Sequence, residues 1–195
     1  DNITMGTLNH SDAMGIGQTL GAKIDALVFT PFKKGEIRRV DKEVIEINMI
    51  INHVVSKTED SQGFEVNDLH NGSVSAVYDN GMVNTEDRIY GIANDGYNTM
   101  AMANRKVGTN IITFNLQSWG SKEKFGVTFN PTVENLQNTY VHEACGHFAR
   151  GLSSRPQDHA KVIEIQKKHS TWKNTTQNFK DWINKIYEDY KNGNN

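Results

Sequence analysis

The hydrophobic pattern of the first third of the chain indicates a helix that follows an unpatterned stretch. From Glu36 to Lys57 the apolar side chains recur every three or four residues, which predicts an amphipathic helix. An alternation of apolar positions from Ile45 to Ile51 leaves a strand as the alternative. Ile24 to Thr30 is an apolar run of strand length. Residues 1–22 are rich in Gly, Asn, Ser and Thr without a sustained period, so we expect a flexible arm or linker there and one domain over residues 23–195.

The middle of the chain has the pattern of short strands, and the last third has the pattern of helices. The candidate strands are Ser73 to Tyr78, Arg88 to Ile92 and Asn110 to Leu116. Helical spacing then runs from Pro131 through residue 148, from His159 to His169 and from Phe179 to Tyr190. This order predicts an α+β fold, in which a small mixed or antiparallel sheet is covered by C-terminal helices.

Composition narrows the functional class only slightly. A chain of 195 residues, 36% hydrophobic and 23% charged, is long enough for one ordinary core. Its formal net charge of -2 gives no sign of a nucleic-acid partner. No apolar run approaches the roughly 18 residues that a membrane helix needs. We therefore expect a soluble monomer without a membrane-spanning segment.

The strongest chemical signal is the run from His142 to His147, which reads His-Glu-Ala-Cys-Gly-His. It is one residue longer than the H-E-x-x-H signature, in which two helical histidines hold zinc and the glutamate polarises a water molecule. On a regular α-helix, residues at i and i+4 lie roughly 40° apart around the axis, whereas residues at i and i+5 lie roughly 140° apart. A regular helix would therefore direct the two histidines toward different neighbours.

A π-bulge removes this mismatch, because one inserted residue widens a single turn and brings i and i+5 onto nearly the same face. Gly146 lowers the steric barrier to such a distortion. The longer motif resembles the H-E-x-x-G-H motif of the dipeptidyl peptidase III family, where the same extra residue is found in a zinc site. The sequence thus predicts a local π-bulge at a metal site that includes His142 and His147.

A broader resemblance extends from about Asn138 to Thr176. Its residues are Asn138 to Glu143, Gly146, His147, His159, Lys161, Gln166, His169 and Thr171. They look like the zinc-metallopeptidase modules at the C-termini of bacterial polymorphic toxins, especially those that follow RHS-repeat shells. The resemblance implies a zincin-like domain that is secreted or delivered into a target cell as part of a larger toxin, with target-cell protein as substrate and an immunity protein as a possible partner.

The third metal ligand is open from the sequence, with His159 as the preferred candidate. A catalytic zinc has three protein ligands and one open position. His159 would lie at the start of the helix after Pro156, where the chain can return to the metal, and the toxin resemblance also favours it. Glu164 is the rival, because many zincins take a glutamate from the helix that follows the motif helix; Asp158 is a further candidate.

These residues predict metal-assisted hydrolysis. Zn²⁺ held by His142, His147 and His159 would lower the pKa of a bound water to about 7, and Glu143 would take its proton. His169 is the candidate donor of a hydrogen bond to the oxyanion. The strand Ile111 to Leu116 would bind extended peptide at its edge.

Three other interpretations remain open from the sequence. The chain could be a non-catalytic zinc-binding domain in which a fourth protein ligand closes the site. It could instead be a zinc amidase that acts on the cell wall. Cys145 could be a nucleophile, but catalysis by a thiolate needs a free imidazole, so we read this single cysteine as a small buried hydrophobe.

Overall fold

The structure of the protein is a computed structural model, and it describes residues 10–27, 42–64, 101–106, 109–114, 116–121 and 128–193. The candidate strands Ser73 to Tyr78 and Arg88 to Ile92 lie outside these residues. So do residues 28–41, which contain the end of the apolar run Ile24 to Thr30 and the beginning of the helix predicted from Glu36.

Helices dominate the described part of the chain. The helices are α1 (His10–Asp25), α2 (Lys42–Ser56), α3 (Val133–Tyr140), α4 (Pro156–Lys168) and α5 (Gln177–Lys191). A π-helical stretch, Val141–Ala149, continues α3 without a break and is called the π segment below. Short 3₁₀ turns lie at Leu116–Ser118 and Trp172–Asn174. Within these ranges no helix combines the length and the apolar character needed to cross a membrane.

The prediction of an α+β fold is wrong, because the described residues are mostly helical. Strand pairing in them is limited to one antiparallel hairpin, β1 (Ala101–Lys106) with β2 (Thr109–Phe114), in which Ala101 lies opposite Phe114. Part of the error has a clear cause. The apolar run that begins at Ile24 continues a helix, since Ile24 and Leu20, four residues apart, are buried on the same face of α1.

Residues 10–22 are not the unstructured arm that their composition predicted. They belong to α1, which passes through the expected boundary at residue 22 and buries Ala13 and Leu20 in the core. At the end of this helix, the Asp25 carboxylate accepts a hydrogen bond from the backbone amide of Ser121 at 2.9 Å. Small residues lower the hydrophobic signal of α1, but burial of a few larger ones is enough to hold it in place.

The helix predicted around residues 36–57 is confirmed over Lys42–Ser56, and the strand alternative for the same residues is wrong. Helix α2 buries Ile47, Ile51 and Val54, whereas its first-turn residues Lys42 and Glu43 are exposed. The side-chain amide of Gln137, on α3, donates a hydrogen bond to the backbone carbonyl of Val54 at 3.0 Å. This contact joins α2 to the helix that leads into the π segment.

A cluster of aromatic rings forms another part of the core. Phe114 stacks on Trp119, Trp119 contacts Phe129, and Phe129 meets Phe179 edge to face, with centroid distances of 5.7, 6.2 and 5.7 Å. Phe179 brings α5 onto this cluster, together with buried Ile183. The last helix therefore packs on the core, as expected, and α4 lies against both the π segment and α5.

Candidate metal centre

The helix that carries the motif begins where its sequence predicts. The Thr132 hydroxyl accepts a hydrogen bond from the amide of Asn135 at 3.1 Å, which caps the first turn of α3. Pro131 precedes this cap, and Glu134 lies in the first turn, where the helix dipole favours a negative charge. From there the helix runs directly into the six motif residues.

The predicted π-bulge is confirmed and is longer than a single turn. The π segment covers nine residues, Val141–Ala149. Its end shows the altered hydrogen-bond step directly, because the amide of Arg150 donates to the carbonyl of Cys145, five residues earlier, at 3.1 Å. The wider turn places His142 and His147 on a common side, with ring centroids 5.1 Å apart.

Gly146 has a second role that the sequence did not reveal. A Cβ atom at this position would overlap Cγ1 of Val162, a buried residue of α4. The absence of a side chain therefore lets α4 pack directly on the π segment. This close approach brings His159, at the start of α4, to the two motif histidines.

The three imidazoles of His142, His147 and His159 form a compact triangle. The ring of His159 lies 4.9 Å from that of His142 and 5.0 Å from that of His147, measured between centroids. Nε2 of His142 is 2.8 Å from Nε2 of His159. Each residue offers one ligand atom, and these atoms all lie within 4.8 Å of one another, so the triad could hold a metal ion.

Hydrogen bonds at the outer edge of each ring orient the triad. His142 Nδ1 lies 2.9 Å from Gln166 Oε1, His147 Nδ1 lies 2.8 Å from the carbonyl oxygen of Leu152, and His159 donates to the carbonyl of Ser154. A carbonyl oxygen can only accept, so each of these nitrogens carries the proton. The nitrogens that face the centre of the triangle are then left with lone pairs.

Two such lone pairs at 2.8 Å repel each other unless a cation lies between them. A proton is a poor candidate, because burial and the neighbouring imidazoles lower the pKa of His142 well below its ordinary value. Burial likewise lowers the pKa of His147, and it lowers that of His159 to about 4. The rings are therefore neutral near pH 7, the form in which imidazole binds a metal.

The spacing of the nitrogens also suits a metal. Two nitrogens on a tetrahedral zinc ion lie about 3.3 Å apart, because the Zn–N distance is about 2.0–2.1 Å. The ligand atoms of the triad, with separations from 2.8 Å to at most 4.8 Å, bracket this value. Small ring rotations would equalise them.

Glu143 follows His142 directly in the π segment and is buried. Its side chain is 5% exposed, and neither a hydrogen bond nor an ion pair is formed to it among the described residues. Burial alone raises the pKa of its carboxyl to about 8. Carboxyls with a strongly raised pKa of this kind concentrate at catalytic sites.

Tyr190 borders the site and was missed by the sequence analysis, which treated it only as part of an amphipathic helix. Its ring stacks on the imidazole of His159, with a centroid distance of 4.2 Å and an interplanar angle of 20°. Burial and the nearby Glu143 carboxylate raise the pKa of its phenol. Tyr190 thus touches one candidate ligand and lies close to the candidate base. It is 31 residues from His159 along the chain, so the sequence did not indicate this contact.

The rival ligands face elsewhere. Glu164 is exposed and accepts a hydrogen bond from the Tyr187 hydroxyl at 2.9 Å. The Asp158 carboxylate accepts from the amide and the hydroxyl of Ser153, which fixes the loop before α4. Among the alternatives left open by the sequence, the structure therefore brings His159 to the motif histidines.

The structure does not bring His169 to the triad. It follows α4 at the end opposite to His159, ten residues on, or roughly 15 Å along a helix axis. One ring nitrogen lies 2.9 Å from the Thr171 hydroxyl and the other 2.8 Å from the carbonyl of Glu59. The role of oxyanion donor therefore stays a prediction for His169, which in this arrangement contacts Thr171 through one nitrogen and the loop after α2 through the other.

The surroundings of Cys145 do not favour a nucleophilic role. Its thiol is half-buried and lies 3.9 Å from the carbonyl of Asp60. Burial and the Asp60 carboxylate raise the pKa of the thiol. A raised pKa disfavours the thiolate, which agrees with a packing role.

No protein-family model, curated protein or solved structure matches this chain.

Proposed function

We propose that this protein is a zinc-dependent hydrolase of the metallopeptidase class, with His142, His147 and His159 as metal ligands and Glu143 as general base. The observation that carries the proposal is the position of Glu143. An otherwise unpartnered, buried carboxyl lies next to His142, in a site where three neutral imidazoles converge. A general base near a metal-activated water needs this combination of residues.

The donor set fits zinc. Three neutral imidazole nitrogens are ligands that zinc prefers, and a set of three leaves one coordination position for solvent or substrate. When bound, zinc lowers the pKa of a water molecule to about 7 and polarises a carbonyl oxygen. The outer hydrogen bonds to Gln166, Leu152 and Ser154 hold the rings in place for this task.

Glu143 would accept a proton from the attacking water and return it to the leaving amine. Without a cation in the triad, burial raises the pKa of its carboxyl to about 8, so the carboxyl is mostly protonated at neutral pH. A divalent cation held by the triad would favour the carboxylate, the form that accepts a proton, and the buried site would keep that proton until it passes to the leaving amine. An exposed glutamate would lose it to solvent.

A purely structural zinc site would need a fourth protein ligand. Within the described residues, the cluster that could hold a metal contains three members and no more. Glu164 and His169 are directed to Tyr187 and to the loop after α2. This favours the catalytic interpretation over a closed structural site.

Peptide bonds of target-cell proteins are the substrate class that we propose, with the chain acting as the effector part of a secreted bacterial toxin. The support for this step is the resemblance of residues 138–176 to toxin metallopeptidase modules. Four of the residues in that resemblance, Asn138, Gln166, His169 and Thr171, are connected by hydrogen bonds behind the metal triad.

The test compares the wild type with Glu143→Gln, which keeps the shape of the side chain but cannot act as a base. Glu134→Gln, in the first turn of α3, is the matched control. Zinc content and cleavage of a denatured protein mixture are measured for all three. We expect equal zinc in all, with cleavage lost only in Glu143→Gln. Equal cleavage by Glu143→Gln and wild type would overturn the proposal. In a parallel assay on cell-wall material, cleavage of cell-wall amides without cleavage of any protein would overturn it as well.

A further inference from the structure

We propose that Gln166 is a positioning residue of the metal centre, which holds His142 in the tautomer and ring orientation that present Nε2 to the metal. The inference rests on the proposed function, because it concerns the same triad. It assigns a role to a side chain that touches neither the metal position nor the substrate.

The contact between the two residues is short and shielded from water. Gln166 Oε1 lies 2.9 Å from Nδ1 of His142, and Gln166 is fully buried in α4. Because an amide oxygen can only accept, this contact places the proton on Nδ1. Nε2, on the far side of the ring, then keeps the lone pair that a metal needs.

The other end of the Gln166 amide has no partner. Its Nε2 is buried and makes no hydrogen bond with any described residue. Leaving a buried donor unsatisfied is destabilising, and leucine at this position would avoid that cost. If the position served only packing, glutamine would therefore be less favourable than leucine. The oxygen of its amide, which contacts His142, is the atom that accounts for its presence.

The backbone of Gln166 is itself held in place. Asn138, on α3 and four residues before His142, donates one amide group to the carbonyl oxygen of Gln166 at 3.0 Å and to the Thr171 hydroxyl at 2.9 Å. Asn138 is fully buried as well. The end of α4 is thus tied to the helix that carries His142.

The packing of the two helices sets the reach of the side chain. Val162 lies directly over Gly146. Four residues further along α4 is Gln166, and four residues back along the motif helix is His142, so the two helices run in opposite directions at this contact. The Gly146–Val162 and His142–Gln166 contacts are successive steps of one interface.

The test measures Zn²⁺ affinity by competition with a chromophoric chelator. The variants are Gln166→Leu, which removes the acceptor, and Gln166→Glu, which keeps an acceptor oxygen at the same reach. Ile163→Val is the matched control, because it disturbs an equally buried position of α4. We expect a 10–100-fold weaker affinity for Gln166→Leu, and an affinity equal to or tighter than that of the wild type for Gln166→Glu and Ile163→Val.

A second readout does not depend on the leucine variant folding. In the zinc-loaded wild type, ¹⁵N-resolved NMR of the imidazoles should show a slowly exchanging proton on Nδ1 of His142. In zinc-loaded Gln166→Glu the same proton should persist, shifted downfield by the charged acceptor. A rapidly exchanging Nδ1 proton in the wild type would overturn the inference, as would a tenfold loss of affinity in folded Gln166→Glu or an unchanged affinity in folded Gln166→Leu.

The two proposals fail in different ways. If the affinities and the NMR signal behave as expected and no substrate is cleaved, the role of Gln166 stands and the hydrolase proposal falls. If protein is cleaved but Gln166→Leu binds Zn²⁺ as tightly as the wild type, the hydrolase stands and the role of Gln166 falls.

Discussion

Gly146 and Val162 pack so closely that a Cβ atom at Gly146 would overlap Cγ1 of Val162. This contact sets the distance between the π segment, which carries two of the candidate ligands, and α4, which carries the third. The separation of the helices and the geometry of the histidine triad are therefore coupled through one glycine.

Gly146→Ala should lower both stability and metal affinity. The added methyl group forces α4 away from the π segment, and overpacking of this kind costs about 1–3 kcal/mol. Chemical denaturation of the metal-free protein and Zn²⁺ titration measure the two effects. The matched control is Gly15→Ala, in the exposed interior of α1 where a Cβ meets no atom within 4 Å. This control should stabilise by about 0.5–1 kcal/mol, and a stabilising Gly146→Ala would contradict the packing argument.

His159→Gln should abolish stoichiometric metal binding, whereas Glu164→Gln should leave it unchanged. The reason is that His159 points Nε2 into the triad, while Glu164 faces Tyr187 on the outside of α4. Zinc content after gel filtration, determined by mass spectrometry, distinguishes the two variants. Retention of zinc by His159→Gln together with its loss in Glu164→Gln would make Glu164 the third ligand.

Tyr190→Ala should weaken zinc binding about three- to tenfold, because it removes the ring that stacks on His159. Tyr190→Phe keeps the ring and should bind zinc as the wild type does. Cleavage rates add a second comparison. If Tyr190→Phe binds zinc normally but turns over substrate much more slowly, the hydroxyl takes part in the reaction, and an identical rate would limit Tyr190 to holding the ring of His159.

His169→Gln should reduce stability and leave the metal centre intact. It disturbs the contacts of His169 to Thr171 and to the carbonyl of Glu59, and we expect a loss of about 1–2 kcal/mol in the free energy of unfolding. His53→Gln, at an exposed position of α2, is the control and should have almost no effect. A large loss of kcat in His169→Gln at unchanged stability would support the oxyanion role that the sequence suggested.

The site was more predictable from sequence than the fold. The extra residue between His142 and His147 has a direct geometric consequence, so the π-helical turn could be foreseen from helix geometry alone. Pro156 marks the start of the next helix, so the sequence indicated that His159 lies at the beginning of that helix, where it can return to the motif histidines. These inferences depend on local spacing, which a sequence displays.

The features that escaped prediction depend on contacts between distant residues. Gln166 meets His142 and Tyr190 meets His159 only after three helices have packed together, and no spacing along the chain encodes these pairs. The contact of His169 with the carbonyl of Glu59 was not foreseen either, because the two residues are 110 positions apart. Helix α1 was missed because tertiary burial of Leu20 and Ile24, rather than a strong periodic pattern, holds it in place.

The most direct test of the central claim is X-ray diffraction from crystals grown with Zn²⁺, with data collected at the zinc absorption edge. We expect one anomalous peak about 2.0–2.1 Å from Nε2 of each of His142, His147 and His159, with no fourth protein ligand. The absence of a peak at this triad, or a peak closed by a fourth protein side chain, would contradict the account of a catalytic metal centre.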